Sequence, residues 1–474
     1  MFYFEDSVWP VREFRGVWLA TVANIDWPSS RHLTTAQQQH ELDNIIQSLQ
    51  HNNFNAIIFQ ARTSGDAFYN STIEPWSYYL TGSQGKAPNP FWDPLAYLID
   101  KAHNVGIEVH VWFNPYRARS GSTSHSGLAP NHMARRFPQY TYAYGNNLWM
   151  DPGAHEVQEH IINVYKDVVS RYEVDGVHMD DYFYPYPISG HTFPDTHTFN
   201  TYKSKGGTLS VQDWRRDNVN SLIQRIQSEI HAIKSYVKFG ISPFGIWKPG
   251  HPVGIHGLSA YDSLYADARK WFNQGWVDYL SPQLYWKIEP PAQSYPALLD
   301  WWLNQNSQRH HLYAGNYAGR VVTDGWSVQE IINQIQLSRN RRESLCLGNI
   351  QFSEKYFSKN SHGIADEFKK LYPTPALVPE MSWLADVTPS MPKQVVGQGH
   401  SLVWSRDATK SVLYWAVYKS IADVWILETV VGADIVSISN LSSGSYAIRG
   451  VNRVGEESQP VYITLTEDSG TIIG

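Results

Sequence analysis

Residues 175–187 read DGVHMDDYFYPYP. Together with Val174 the run has the β-branched and apolar character of a buried strand, yet it closes on two adjacent aspartates and then on alternating aromatics and prolines. A strand that ends in charge, next to a long polar and aromatic loop, is the pattern of a barrel strand delivering side chains to a mouth. Working outward, similar runs recur on both sides: 14–22, 55–61 and 107–114 before it, and 237–244, 277–286, 309–317 and 345–352 after it. Between them lie segments with helical apolar periodicity, among them HELDNIIQSLQ, HEVQEHIINVYKDVV, NVNSLIQRIQSEIHAI and VQEIINQIQL. Eight rounds of strand then helix predict an α/β fold, a (β/α)8 TIM barrel. Turn signals such as HNVGI and NQGWVD precede strands, whereas the long stretches 62–92, 115–154 and 182–210 follow them. The cleft is therefore expected at the C-terminal ends of the strands.

With 474 residues, the chain is longer than one compact core usually holds. The barrel is expected to occupy residues 1–372 and a proline-rich linker residues 373–392. Beyond it only strand-like runs occur (SLVWS, SVLYWAVYK, DVWILETVV, DIVSISN, QPVYITL), which predicts a small all-β sandwich over 393–474. A net charge of −6 offers nothing to a polyanion, so nucleic acid is not an expected partner. Trp and Tyr number 19 and 29, enough either for stacking on sugar faces or for an aromatic-rich core. The single Cys346 excludes an intramolecular disulfide and a cysteine-built zinc site. No apolar run reaches the roughly 18 residues needed to span a bilayer. The start MFYFEDSVWP shows no signal peptide, which leaves a cytoplasmic protein or a trimmed leader as the two readings.

Candidate chemistry follows from the strand ends. The carboxylates there are Asp26, Asp66, Asp180, Asp181, Glu289, Asp324 and Glu354. Strand alternation puts His178 and Asp180 on one face and turns Asp181 away, which makes Asp180 the nucleophile or base. The remaining strand ends are amide, aromatic or basic. Gln60 and Arg62 end the second strand; Trp112, Asn114, Tyr116 and Arg117 follow the third; Tyr182 and Tyr184 follow the aspartates. Trp247 follows strand five, Gln283, Tyr285 and Trp286 strand six, Asn316 and Tyr317 strand seven, and Gln351 strand eight. Such groups suit a hydroxyl-rich ligand, because they offer directional hydrogen bonds and stacking faces with little net charge. No glycine-rich phosphate motif is present and His110, His178 and Asp180 lack tight ligand spacing, so neither a cofactor nor a metal is expected.

Several of these stretches carry a resemblance: FRGVWLATVANIDWPS, VHVWFNPYR, DGVHMDDYFYPYP, DWRRDNVN, GISPFGIW and SPQLYW. Together they resemble the bacterial glycoside-hydrolase-like family 10, long known only as a domain of unknown function, from about Phe14 to Tyr372. The resemblance implies a TIM barrel, an extracytoplasmic setting and hydrolysis of a peptidoglycan-type glycan containing N-acetylhexosamines, with a carboxylate pair in the mouth; a monomer is expected. It points to Asp180 and Asp181, lined by Tyr182 and Tyr184. The order Gly176 to Asp180 is also similar to strand four of α-amylase-type barrels, whose aspartate at the place of Asp180 is the nucleophile. Family 18 chitinases have a similar phrase, but their acid glutamate is replaced here by Tyr182 and their strand-six aspartate by Trp286. The second carboxylate is therefore sought among Asp181, Asp66 and Glu354, in that order; roughly 5 Å between the pair implies retention and roughly 6.5–9.5 Å inversion. The segment YAIRGVNRVGEES resembles late strands of a fibronectin type III module. Two other functions are compatible with these residues: a catalytically silent carbohydrate-binding barrel, and a hydrolase of a sugar ester or amide substituent, although no GxSxG elbow is present.

Overall fold

A computed structural model describes residues 12–409 and 411–466. Eight parallel strands close into a barrel: β1 (Phe14–Leu19), β2 (Ala56–Arg62), β3 (Glu108–Phe113), β4 (Gly176–Met179), β5 (Lys238–Ile241), β6 (Tyr279–Leu280), β7 (His311–Asn316) and β8 (Cys346–Gln351). Each strand pairs with its sequence neighbours, and β1 closes on β8 with Phe14 opposite Gly348. Between strands run α1 (Thr35–His51), α2 (Pro94–Asn104), α3 (His155–Arg171), α4 (Val211–Ile233), α5 (Ala268–Asn273), α6 (Tyr295–Asn304) and α7 (Val328–Arg339), with α8 (Ile364–Leu371) after β8. All eight expected strands form, because β-branched runs bounded by amphipathic segments can be buried on both faces only in a parallel sheet covered by helices. Helix starts follow local rules. Thr34 opens α1 with a capping box, its hydroxyl accepting from the Gln37 N–H while the Gln37 side chain accepts from the Thr34 N–H.

Much of the aromatic excess is core. Trp27, Trp271 and Trp302 are fully buried, and the barrel interior is filled by rings, with Phe14 stacked on Tyr313 at 4.0 Å. Glycines make room for them: a Cβ at Gly240 would lie 1.9 Å from the Tyr279 ring, and one at Gly176 would lie 2.5 Å from the His110 ring. The base of the barrel is closed by Val378 and Met381.

Those two residues belong to the proline-rich segment 373–392, expected from sequence as a linker. Much of it is packed against the barrel rather than spanning open space. Glu13 N–H bonds Leu377 O at 2.9 Å, Asn55 donates to Ala376 O, Arg15 donates to Thr374 O, and Trp383 stacks on His310 at 4.4 Å. The all-β part follows as a three-stranded sheet (Lys393–Gln398, Ser401–Ser405, Ser437–Ile438) and a four-stranded one (Val424–Gly432, Tyr414–Ile421, Gly444–Val451, Val461–Leu465). Leu402, Trp404, Trp415, Val417, Tyr446 and Ile448 form one of its apolar clusters. It is tied to the barrel by Arg453 with Glu173 at 2.7 Å and Arg12 with Glu457 at 2.9 Å.

Candidate active site

Strand β4 is anchored before it reaches the mouth. Asp175 accepts from the Val109 N–H at 2.8 Å and pairs with His103 at 2.7 Å, which locks the register of β4 against β3. The last ladder residue is Met179, whose carbonyl accepts from Ser242 N–H. Asp180 and Asp181 thus lie just past the strand, where the alternation of side chains no longer applies. Both line the same cleft, and the expectation that Asp181 turns away is corrected.

Each aspartate has its own set of donors. Asp180 Oδ2 accepts from the Trp112 indole N–H at 3.1 Å and the Asn114 amide at 2.5 Å, and its Oδ1 accepts from the Tyr182 backbone N–H at 3.1 Å. Asp181 Oδ1 accepts from the Gln283 amide at 3.0 Å, and its Oδ2 accepts from the Tyr186 hydroxyl. The Asn114 amide cannot flip: its Oδ1 accepts from Gln60 Nε2 at 2.6 Å and from Arg117 Nη2 at 3.1 Å, so its NH2 must face Asp180. Gln60 is held in turn by the Thr21 and Val22 N–H groups at 2.9 and 3.0 Å. A chain of oriented dipoles thus runs from the end of β1 to the Asp180 carboxylate.

Burial dominates the electrostatics. It raises Asp180, and the neighbouring Asp181 charge adds to this, to about 7, against the opposing pull of Arg117, the Tyr182 N–H and the Asn114 amide. Burial also raises Asp181, opposed by the Tyr186 and Gln283 bonds. Two such neighbours resist carrying two negative charges, so the pair titrates as a unit.

The cleft has a volume of about 200 Å³. Of the residues expected to bind substrate, Gln60, Trp112, Tyr182, Gln283 and Tyr285 line it, and Asn114 stands directly behind Asp180. Trp18, Ala20, Val22, Ile25 and Phe352 complete the walls and were not singled out from sequence, because apolar residues in or beside a strand read as core. Arg117, one of the strand-end residues noted in the sequence, lies over the Tyr182 ring at 5.1 Å. Tyr186 could have been found in the alternating YFYPYP run.

Other expected residues lie elsewhere, for identifiable reasons. His178 is fully buried below the mouth. It accepts from the Trp18 indole at 3.2 Å and its other nitrogen meets Tyr279 Oη at 2.9 Å, which also bonds His110; burial holds its pKa far below the usual value. With Nε2 an acceptor, the neutral ring carries its proton on Nδ1. Arg62 forms a buried bidentate pair with Glu74 at 2.7 and 2.6 Å. Asn316 and Gln351 bond each other and join Asn349 and Gln334 in a buried amide cluster between β7, β8 and α7. Tyr116 is core, and Tyr184 packs on Phe193 and Tyr265 beneath its loop. Trp247 stacks on Trp301 at 5.7 Å, Trp286 meets Phe244 edge-on, and Tyr317 backs Tyr285 at 5.1 Å.

The alternative carboxylates are also outside the cleft. Asp66 lines a neighbouring pocket with Gln84, Tyr78 and Tyr79, bonded to Thr63 and Gln84, and burial raises it to about 6. Glu354 is buried behind β1 against Ser358, raised by burial to about 8. Asp26 spends its oxygens on Ala20 N–H, Ser353 Oγ and Lys355 N–H, which ties the loop after β1 to the loop after β8. Among the described residues, no group of three or more His, Cys, Asp and Glu side chains is placed to hold a metal ion. No helix among them is long and apolar enough to cross a membrane.

The chain is similar to known proteins. The family model for glycosyl hydrolase-like 10 matches residues 13–330. Glycosyl hydrolase YngK of Bacillus subtilis (strain 168) is 42% identical over 428 residues, covering 86% of this chain and 83% of that protein. Glycosyl hydrolase DigH of Escherichia coli (strain K12) is 36% identical over 373 residues, covering 73% of this chain and 84% of that protein. Among solved structures, the glycoside hydrolase domain of PgaB (BpsB) from Bordetella bronchiseptica aligns with a TM-score of 0.48 at 12% identity, over 76% of this chain and 98% of that one. The chain belongs to the glycosyl hydrolase-like 10 family and is, with YngK and DigH, a glycosyl hydrolase.

Proposed function

We propose that this barrel cleaves glycosidic bonds in a peptidoglycan-type strand containing N-acetylhexosamines, with Asp180 and Asp181 performing the acid–base chemistry. The observation that carries this reading is the pair itself: two carboxylates in one cleft, both raised by burial and walled by tryptophan and tyrosine faces. Glycoside cleavage needs a group that gives a proton to the leaving oxygen and a group that stays negative beside the oxocarbenium-like centre. A pair in which one member holds a proton and the other a charge meets both needs. The aromatic walls suit the apolar faces of pyranose rings, and the Gln60 and Gln283 amides suit their hydroxyl and acetamido groups. The substrate class is supported by the family resemblance that runs across the barrel; such a substrate puts the reaction outside the cytoplasmic membrane.

The test is mass spectrometry of products after wild type and Asp180→Asn are incubated with peptide-free peptidoglycan strands, chitooligosaccharides and neutral polysaccharides. Shortened peptidoglycan strands are expected from the wild type, with the variant slower by about 10²- to 10⁴-fold while still folded. Equal turnover by the variant would remove Asp180 from the chemistry, and intact peptidoglycan strands throughout would overturn the substrate.

A further inference from the structure

The two carboxylates reach the cleft from a single wall. They are consecutive residues of the turn after β4, whereas the wall across the barrel, contributed by β1 and the residue after β8, is Trp18, Ala20 and Phe352. Among the described residues no third carboxylate lines this cleft. Asp26 and Glu354 lie behind its far wall with their oxygens turned to Ala20, Ser353, Lys355 and Ser358, and Asp66 lines the neighbouring pocket. Displacement by an enzyme carboxylate, or by a water activated by one, uses two carboxyl groups that flank the scissile bond. This cleft offers a flank on one side only.

The donors around Asp180 make it a poor nucleophile. Three N–H groups point at it, and the indole, the backbone amide and the locked Asn114 amide cannot turn round to accept. Oδ2 is doubly occupied; Oδ1 keeps one lone pair, suited to one more N–H. Asp181 is different. Its Oδ2 partner is the Tyr186 hydroxyl, which can accept as readily as donate, so a proton on Asp181 keeps that hydrogen bond whereas a proton on Asp180 Oδ2 would face two donors. On these partners Asp181 is the better seat for a proton and Asp180 the better seat for the negative charge. Tyr285 also lines the cleft, its ring 6.4 Å from Phe352 and its hydroxyl without a hydrogen-bond partner among the described residues; burial and both aspartate charges keep it protonated.

We propose that the nucleophile comes from the substrate: the carbonyl oxygen of the 2-acetamido group on the sugar whose bond is cut, with Asp180 holding the acetamido N–H and Asp181 as the acid. This rests on the preceding reading that the glycan contains N-acetylhexosamines. In the first step Asp181 gives its proton to the glycosidic oxygen, the C1–O bond to the leaving sugar breaks with its electron pair on that oxygen, and the acetamido oxygen bonds to C1. The resulting oxazolinium N–H is paired with the Asp180 carboxylate. In the second step water attacks C1, its proton passes to Asp181, and the C1–O bond of the ring opens to restore the amide. One water is consumed and both carboxyls return to their starting states. Tyr285 donates to the acetamido oxygen and aims it at C1.

The experiment follows the anomer first formed from N-acetylated strands by NMR, and compares those strands with N-deacetylated ones. Retention is expected, with N-deacetylated strands slowed at least about 100-fold, the scale of losing a catalytic group. On nitrophenyl glycosides of N-acetylglucosamine oligomers, where the leaving group needs no proton, Asp181→Asn should recover at least about tenfold more of its lost rate than Asp180→Asn. Inversion, or equal cleavage of acetylated and N-deacetylated strands, would overturn the substrate nucleophile while leaving the glycosidase reading in place. No cleavage of any N-acetylated strand would instead bring down the substrate class, and this mechanism with it.

Discussion

At the scale of single residues, the two neighbouring aspartates are chemically unlike because their partners are unlike. Rigid N–H donors surround Asp180, and a reversible hydroxyl faces Asp181. The difference is testable through Tyr186. Its bond lowers Asp181, so Tyr186→Phe should raise the pKa of the acid. An acid active when protonated then survives to higher pH, and the basic limb of the kcat/KM profile should move up by about 0.5 to 1 unit, in line with the net worth of one hydrogen bond. A downward or absent shift would show that Asp181 is not the acid. Arg62 teaches the converse lesson. An arginine at a strand end looks like a ligand for substrate, yet this one is consumed by Glu74.

At the scale of elements, the long loops are held by buried ties rather than by length alone. The insertion after β3 forms its own antiparallel sheet (Arg117–Arg119, Asn147–Met150, Thr141–Tyr144), whose Trp149 donates to Phe183 O at 2.8 Å and so braces the loop that carries Tyr182. The loop after β2 is braced by Glu74. Burial would raise this carboxylate, but Arg62 at 2.6 Å and His160 at 2.7 Å outweigh it and hold it far below the usual range. Glu74→Ala leaves the fully buried Arg62 guanidinium uncompensated beneath the active face. It should cost about 3–5 kcal/mol of stability, read as a lowered midpoint in urea. A loss under about 1 kcal/mol would mean that water or another anion replaces the carboxylate.

At the scale of the whole molecule, buried carboxyls set the pH dependence of stability. Burial holds Asp26, Asp66 and Asp151 at about 6 and Glu354 at about 8, and it raises the Asp180–Asp181 pair. A raised native pKa means that the folded state binds protons the unfolded chain has released, so stability falls as pH rises through these values. His231, where the Asp278 carboxylate outweighs burial, acts in the same direction. Burial lowers His132 to about 4 and His311 to about 3, and that penalty operates only below about pH 6.5. Between pH 6.5 and about 8 the Tm should therefore fall, a carboxyl still protonated in the fold contributing up to about 1.4 kcal/mol per pH unit. Glu354→Gln should flatten the upper part of that fall; an unchanged slope would show that Glu354 is already ionised in the folded protein.

The sequence by itself determined the barrel, since the order of apolar runs and amphipathic segments leaves few ways to bury every strand. It determined the all-β run that follows, and it marked the end of β4 as the place where charge meets the mouth. The direction of Asp181 was decided only in three dimensions, because alternation stops where the ladder stops. So were the apolar walls of Trp18 and Phe352, which in sequence look like any core residue, and the retreat of Arg62, Asp66 and Glu354 from the cleft. The plug formed by residues such as Val378 and Met381 was equally illegible, for prolines announce the end of a helix but not the surface the chain meets next. In each case the missing information was which distant side chain stands opposite, and that is a property of packing rather than of local propensity.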